Sequence, residues 1–129
     1  MCKPTKQFFI SLVFIIFLDQ MSKVIAGKVV PIVVNCGFSF SLFCTPIAAL
    51  VNTLVVIVIL LILLRYRSLG ALEGIFIGSG LSNLMDRIIF GGVRDWIAFR
   101  GLLNNLADWA VVLSGIAFFV VQSLHGRKD

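Results

Sequence analysis

The run from Ile47 to Leu64 carries one strongly polar side chain, Asn52, and no charge. A helix needs roughly 20 apolar residues to cross a hydrocarbon core about 30 Å thick, so this run reads as a membrane span. Three other stretches read the same way: Phe8 to Ala26, Ala71 to Phe90 and Asn105 to Leu124. The chain of 129 residues is 60% hydrophobic and 13% charged. A soluble domain would be roughly half apolar and about a quarter charged. The expectation is therefore an all-α integral membrane protein. Its four spans and short connections form a single membrane-embedded domain over residues 1–129, with no room for a separate soluble one.

The spans are not uniformly apolar. The apolar part of the first, Phe8 to Leu18, is too short to cross alone. The helix must continue through Asp19-Gln20-Met21-Ser22-Lys23, which puts Asp19 near one membrane face and lets Lys23 reach the headgroups. The preceding basic residues resemble a signal peptide, but no small-residue cleavage site follows, so the segment is expected to be retained. Between the first two spans, about residues 28–45, the β-branched Val29-Val30-Pro31-Ile32-Val33-Val34 reads as extended. It continues into Asn35-Cys36-Gly37-Phe38-Ser39-Phe40-Ser41. A small surface sheet or hairpin is expected there, with Phe38, Phe40 and Phe43 at the interface. In the third span, Gly74, Gly78, Ser79, Gly80 and Ser82 allow close helix approach. Residues Gly91 to Asn104 read as a loop, and Asn52 and Glu73 as interhelical or interfacial polar groups.

The net charge of +5 comes from basic residues flanking apolar segments. That favours headgroups, and no basic run interleaved with aromatics argues for nucleic acid. Lys3, Lys6, Arg65, Arg67, Arg127 and Lys128 share one side if there are four spans, which places both termini in the cytoplasm. Cys2, Cys36 and Cys44 lack metal-ligand spacing and His125 is the only histidine, so no metal and no cofactor are expected. Cys36 and Cys44 read as two free thiols, with a disulfide as the alternative.

Three of the six acidic residues fall between Gly78 and Asp108. A carboxylate near hydrocarbon is costly unless paired, hydrated or neutralised. The topology gathers Asp19, Asn35, Asn83, Asp86, Arg87, Asp95, Asn105 and Asp108 at one depth, facing outward. Two carboxylates held close share one proton, so one acts as base on a water and the other as acid. That is aspartic-protease chemistry. The alternative is a non-enzymatic membrane protein using the same cluster for packing.

The chain resembles the lipoprotein signal peptidases, the type II signal peptidases of bacteria. The resemblance lies in Asp19-x-x-Ser22-Lys23, Asn35-x-Gly37-x-x-Phe40-Ser41, Asn83-x-x-Asp86-Arg87, Gly91-x-Val93-x-Asp95 and Asn105-x-Ala107-Asp108, in that order. It implies an inner-membrane aspartic endopeptidase that removes the signal peptide of diacylglyceryl-modified prolipoproteins just before the lipidated cysteine. It further implies Asp95 and Asp108 as the catalytic pair, with Asn35, Asn83, Arg87 and Asn105 around the substrate. Asp19 and Asp86 would be supporting residues. The partners it implies are the prolipoprotein and membrane lipids, and the chain is expected to act as a monomer. Departures from the family pattern are Ala98 for Asp, Asn104 for Phe, Ser79 and Ser82 for glycines, and a short interval between the two acids.

Overall fold

The fold was described from a computed structural model, over residues 3–36, 46–66 and 69–125. Four long helices run in the order α1 (Lys6–Ala26), α2 (Pro46–Tyr66), α3 (Ala71–Phe90) and α4 (Leu106–His125). Among the described residues, four three-residue strands lie between them: β1 (Val33–Asn35) after α1, then β2 (Val93–Asp95), β3 (Ile97–Phe99) and β4 (Leu102–Asn104) between α3 and α4.

The starts of α1 and α3 have local causes. The Thr5 hydroxyl accepts from the Phe8 N–H at the start of α1, and Thr5 also donates through N and Oγ1 to the Leu69 carbonyl. The first helix is thereby stitched to the turn ahead of α3. Glu73 Oε2 accepts from the Gly70 N–H at 2.9 Å. Glu73 thus caps its own helix, where the sequence expectation was an interhelical or interfacial polar group. Gly91 closes α3 in the left-handed conformation, φ 74°, its N–H returning to the Arg87 carbonyl. The Asn52 side chain lies outside the described residues.

α1 and α3 pack with almost no gap, and glycines make this possible. A Cβ on Gly74 would stand 2.1 Å from Ser11 Oγ and 2.4 Å from the Phe8 carbonyl oxygen. One on Gly78 would stand 2.5 Å from Ile15 Cγ2. Small residues four apart let two backbones meet, which is how helices associate where lipid offers no hydrophobic drive.

The interior is inverted relative to a soluble protein. Asp19, Lys23, Ser79, Ser82, Asn83, Asp86, Asp95, Asn104, Asn105 and Asp108 are all buried. Val13 on α1 and Phe119 on α4 are 63% and 73% exposed, and much of each helix's outer face is equally open. Each such side chain would cost about 1.5–3 kcal/mol in water relative to burial, so these faces need an apolar solvent. Among the described residues, α1 and α4 are long and apolar enough to cross a membrane.

The extended segments differ from expectation in an instructive way. β1 does not form a local hairpin but pairs antiparallel with distant β2: Val33 opposes Asp95 and Asn35 opposes Val93. Phe38, Phe40 and Phe43 lie outside the described residues, as do Arg67, Ser68, Arg127 and Lys128. Residues 91–104, expected as loop, hold β2 and the β3–β4 hairpin, in which Ile97 opposes Asn104 and Phe99 opposes Leu102. Its two-residue turn, Arg100 (φ 50°) and Gly101 (φ 76°), has both centres left-handed, the turn whose twist suits a tight hairpin. Cys36 is disulfide-bonded, not a free thiol. Its partner lies outside the described residues.

The helix contact generates a paired prediction. Gly78→Leu should destabilise the protein by about 1–3 kcal/mol through overpacking. Gly115→Leu should cost much less, since a Cβ there meets nothing within 4 Å among the described residues. Thermal unfolding in detergent reads both; equal losses would refute the close-contact account.

Candidate active site

Asp19 is the acceptor that joins three helices. Its Oδ2 accepts hydrogen bonds from Lys23 Nζ at 2.5 Å and from Ser82 Oγ at 2.6 Å; its Oδ1 accepts from the Ala107 N–H at 2.9 Å. Those donors come from α1, α3 and the first turn of α4. An anion receiving a backbone N–H at a helix N-terminus is favourably placed. Lys23 does not reach the headgroups. It is 1% exposed and bridges Asp19 to Asp86, whose Oδ2 lies 2.9 Å away. A buried ammonium requires such partners, and two carboxylates outcompete the distant interface.

Asp86 is held from the other side by Arg94. Its carboxylate accepts from Arg94 N at 3.0 Å and from Nη2 at 2.9 Å. Arg94 Nη2 also donates to Gln20 Oε1 at 2.6 Å, and the guanidinium stacks 4.2 Å over the Phe90 ring. Gln20 Nε2 in turn donates to Asp86 and Ser82. Neither Gln20 nor Arg94 was among the expected site residues. The signal available in sequence was weak: Arg94 sits between the motif residues Val93 and Asp95, in a stretch read as loop.

The second half of the cluster centres on Asn105, the residue before α4. Asn105 Nδ2 donates to Asp95 Oδ1 at 2.7 Å, while its backbone N–H donates to Asp108 Oδ2 at 3.2 Å. Asn105 Oδ1 accepts the Asp108 N–H at 3.0 Å, a reciprocal cap. One residue therefore holds both acids. Asn35 Nδ2 donates to Asp95 Oδ2 at 3.0 Å, from the strand that pairs with β2. Asn83 Nδ2 donates to Asp108 Oδ1 at 3.1 Å, and Asn83 Oδ1 accepts from Lys23 at 3.3 Å. Asp95 and Asp108 are 1% and 3% exposed. Arg87 lies within electrostatic reach of Asp108, Asp95 and Asp86. All eight residues that the sequence grouped are thus brought into one connected cluster, with Lys23, Arg94 and Gln20 added.

The charge count is informative. Four carboxylates (Asp19, Asp86, Asp95, Asp108) face three cations (Lys23, Arg87, Arg94) among the described residues. In a medium that penalises net charge, one proton on a carboxylate balances the cluster. Burial lifts the Asp95 carboxyl above its ordinary value; the Asn105 and Asn35 amides and the Lys23 and Arg87 charges oppose this without cancelling it. No three or more His, Cys, Asp and Glu side chains are grouped to share a metal ion among the described residues.

A helical bundle with a lipid-type outer face and a buried acid–amide centre defines a class of membrane protein. A solved bacterial membrane enzyme, determined by the in meso method, shares the fold, with a TM-score of 0.78 at 16% identity over 95% of this chain and 90% of that one. Residues 11–125 match the family model for signal peptidase II, and the chain belongs to that family. Among its relatives, the lipoprotein signal peptidase of Halothermothrix orenii is 31% identical, covering 93% of this chain and 97% of that protein. The lipoprotein signal peptidase of Syntrophomonas wolfei is 27% identical, covering 95% and 97%.

The raised Asp95 carboxyl makes a pH prediction. A folded-state value above the unfolded 3.8 means that the native chain binds more protons above that pH, so stability falls as pH rises through the window. The melting temperature should therefore decline from about pH 4 upward relative to Asp95→Asn, in which this slope is missing. Parallel pH profiles of the two proteins would contradict the assignment.

Proposed function

We propose that this chain is an intramembrane aspartic endopeptidase. It removes signal peptides from diacylglyceryl-modified bacterial prolipoproteins, cutting just before the lipidated cysteine. Family membership supports the peptidase class and the substrate. The observation that carries the aspartic mechanism is the double grip of Asn105, whose side chain bonds Asp95 while its backbone bonds Asp108.

In this reading Asp95 and Asp108 share the one proton that the charge count calls for. Asp95, lifted by burial, holds it; Asp108 lies in the first turn of α4, where the helix dipole favours a negative charge. Asp108 then takes a proton from the attacking water while Asp95 donates to the substrate carbonyl oxygen. The roles reverse as the tetrahedral intermediate collapses and the amine leaves. The amides of Asn35, Asn83 and Asn105 and the Arg87 guanidinium line the site and orient the peptide. Asp19 and Asp86 support it by fixing the helices.

All four helices span the bacterial cytoplasmic membrane, with both termini in the cytoplasm and the site at the outer face. The β1–β2 pair and the hairpin lie over that face and exclude bulk water from the bound peptide. The lipid chains of the substrate stay in the bilayer, and the enzyme works as a monomer without a cofactor.

Asp95→Asn or Asp108→Asn should each abolish processing of a lipidated precursor by the purified protein while leaving its helical circular dichroism unchanged. Either variant cutting at a wild-type rate would overturn the dyad. Chelation with EDTA should leave the rate unaltered; loss with recovery on adding zinc would point to a different chemistry.

A further inference from the structure

This inference rests on the peptidase reading above. It concerns the base of the hairpin, where β4 meets α4. Asn104 is fully buried, yet its Nδ2 has no acceptor among the described residues. The amide cannot be turned to hide this. Trp109 Nε1, which can only donate, lies 2.5 Å from Asn104 Oδ1, so the oxygen must face the indole and the NH2 group must face away. The backbone carbonyl of Asn104 is also taken, by the Trp96 N–H at 3.1 Å. Trp109 is itself fixed, with Phe99 edge-on at 5.4 Å between ring centroids. The Asn104 side chain is therefore clamped, with a donor that meets no acceptor among the described residues.

A second donor in the same place is in the same condition. Trp96, bonded to Asn104 through the backbone and next to Asp95, keeps a buried indole N–H without an acceptor among the described residues. Buried donors are nearly always satisfied, because leaving one unmade forfeits its full desolvation cost. Here two of them lie just inside the two ends of the segment that runs from Asp95 to Asn105, the residue gripping both acids.

We propose that Asn104 Nδ2 is a substrate-binding donor that receives a carbonyl oxygen of the bound precursor. The acceptor is a carbonyl because a neutral, clamped amide in a dry site suits a neutral acceptor and offers no charge to an anion. The precursor carries such oxygens in its peptide backbone and in the ester links of its lipid.

The test compares the full-length wild type with Asn104→Leu and Asn104→Asp in detergent. Leucine removes both amide groups and, with them, the unpaired donor. Aspartate keeps an oxygen for Trp109 but, when ionised, donates nothing. The expected result is a loss of about tenfold in kcat/KM for both variants on an ester-linked lipidated precursor, carried mainly by KM. Asn104→Leu also removes the oxygen that Trp109 Nε1 bonds, so its melting temperature is read alongside, and the loss in kcat/KM should be the same in both variants whichever of them melts lower. A precursor with ether-linked chains separates the two acceptors. A peptide partner leaves the tenfold ratio between wild type and Asn104→Leu intact, whereas an ester partner collapses it. Unchanged kcat/KM in Asn104→Leu, or losses that merely follow falling melting temperatures in both variants, overturns the proposal. A wild type that cuts neither precursor removes the peptidase reading, and this one with it.

Discussion

Burying charge inside an apolar bundle is the constraint from which the rest of this structure follows. Asp19 cannot sit alone between α1, α3 and α4, so it gathers Lys23, Ser82 and the Ala107 N–H around it. Those three bonds fix where the last helix starts relative to the first and third. Lys23 then needs more than one carboxylate and finds Asp86, which draws in Arg94 and with it the strand carrying Asp95. Each partner solves one electrostatic problem and creates the next, until the chain of contacts reaches the two acids. The positions of these groups are thus set by one network.

The close packing of α1 against α3 serves the same end. Gly74 and Gly78 bring the two backbones together, and the contact continues into the region where Gln20 and Lys23 meet Ser82 and Asp86. A looser pair of helices would admit lipid or water between these groups. Long side chains alone could still span the gap, but with less fixed geometry. Asn105 completes the arrangement from the other end. It caps α4 and hydrogen-bonds both acids at once, so one residue ties the start of α4 to the positions of Asp95 and Asp108.

Much of this was legible in the sequence. The helices were marked by apolar runs of spanning length, and the carboxylates and amides by their rarity in such a chain. What sequence reasoning missed depends on tertiary direction. Lys23 is long enough to reach the interface or the core, and only the position of Asp86 decides. Arg94 lies on a three-residue strand, too short for a period-2 pattern to declare itself. The pairing of Val33 with Asp95 joins segments far apart in sequence, and neither strand alone signals its partner. The hairpin turn uses Arg100-Gly101, where the usual signal is Asn-Gly or Asp-Gly, so it escaped notice. The resemblance placed Asn105 around the substrate and did not show that it also caps α4 while holding Asp95.

The central claim is that the cluster carries one proton, held on Asp95 against Asp108. Infrared difference spectroscopy of the carboxyl stretch in membrane-reconstituted protein at neutral pH tests this most directly. The account predicts a band from a single protonated aspartate, lost in Asp95→Asn and retained when Asp19 is replaced by Asn. No protonated carboxyl at neutral pH, or a band that survives in Asp95→Asn, would contradict it.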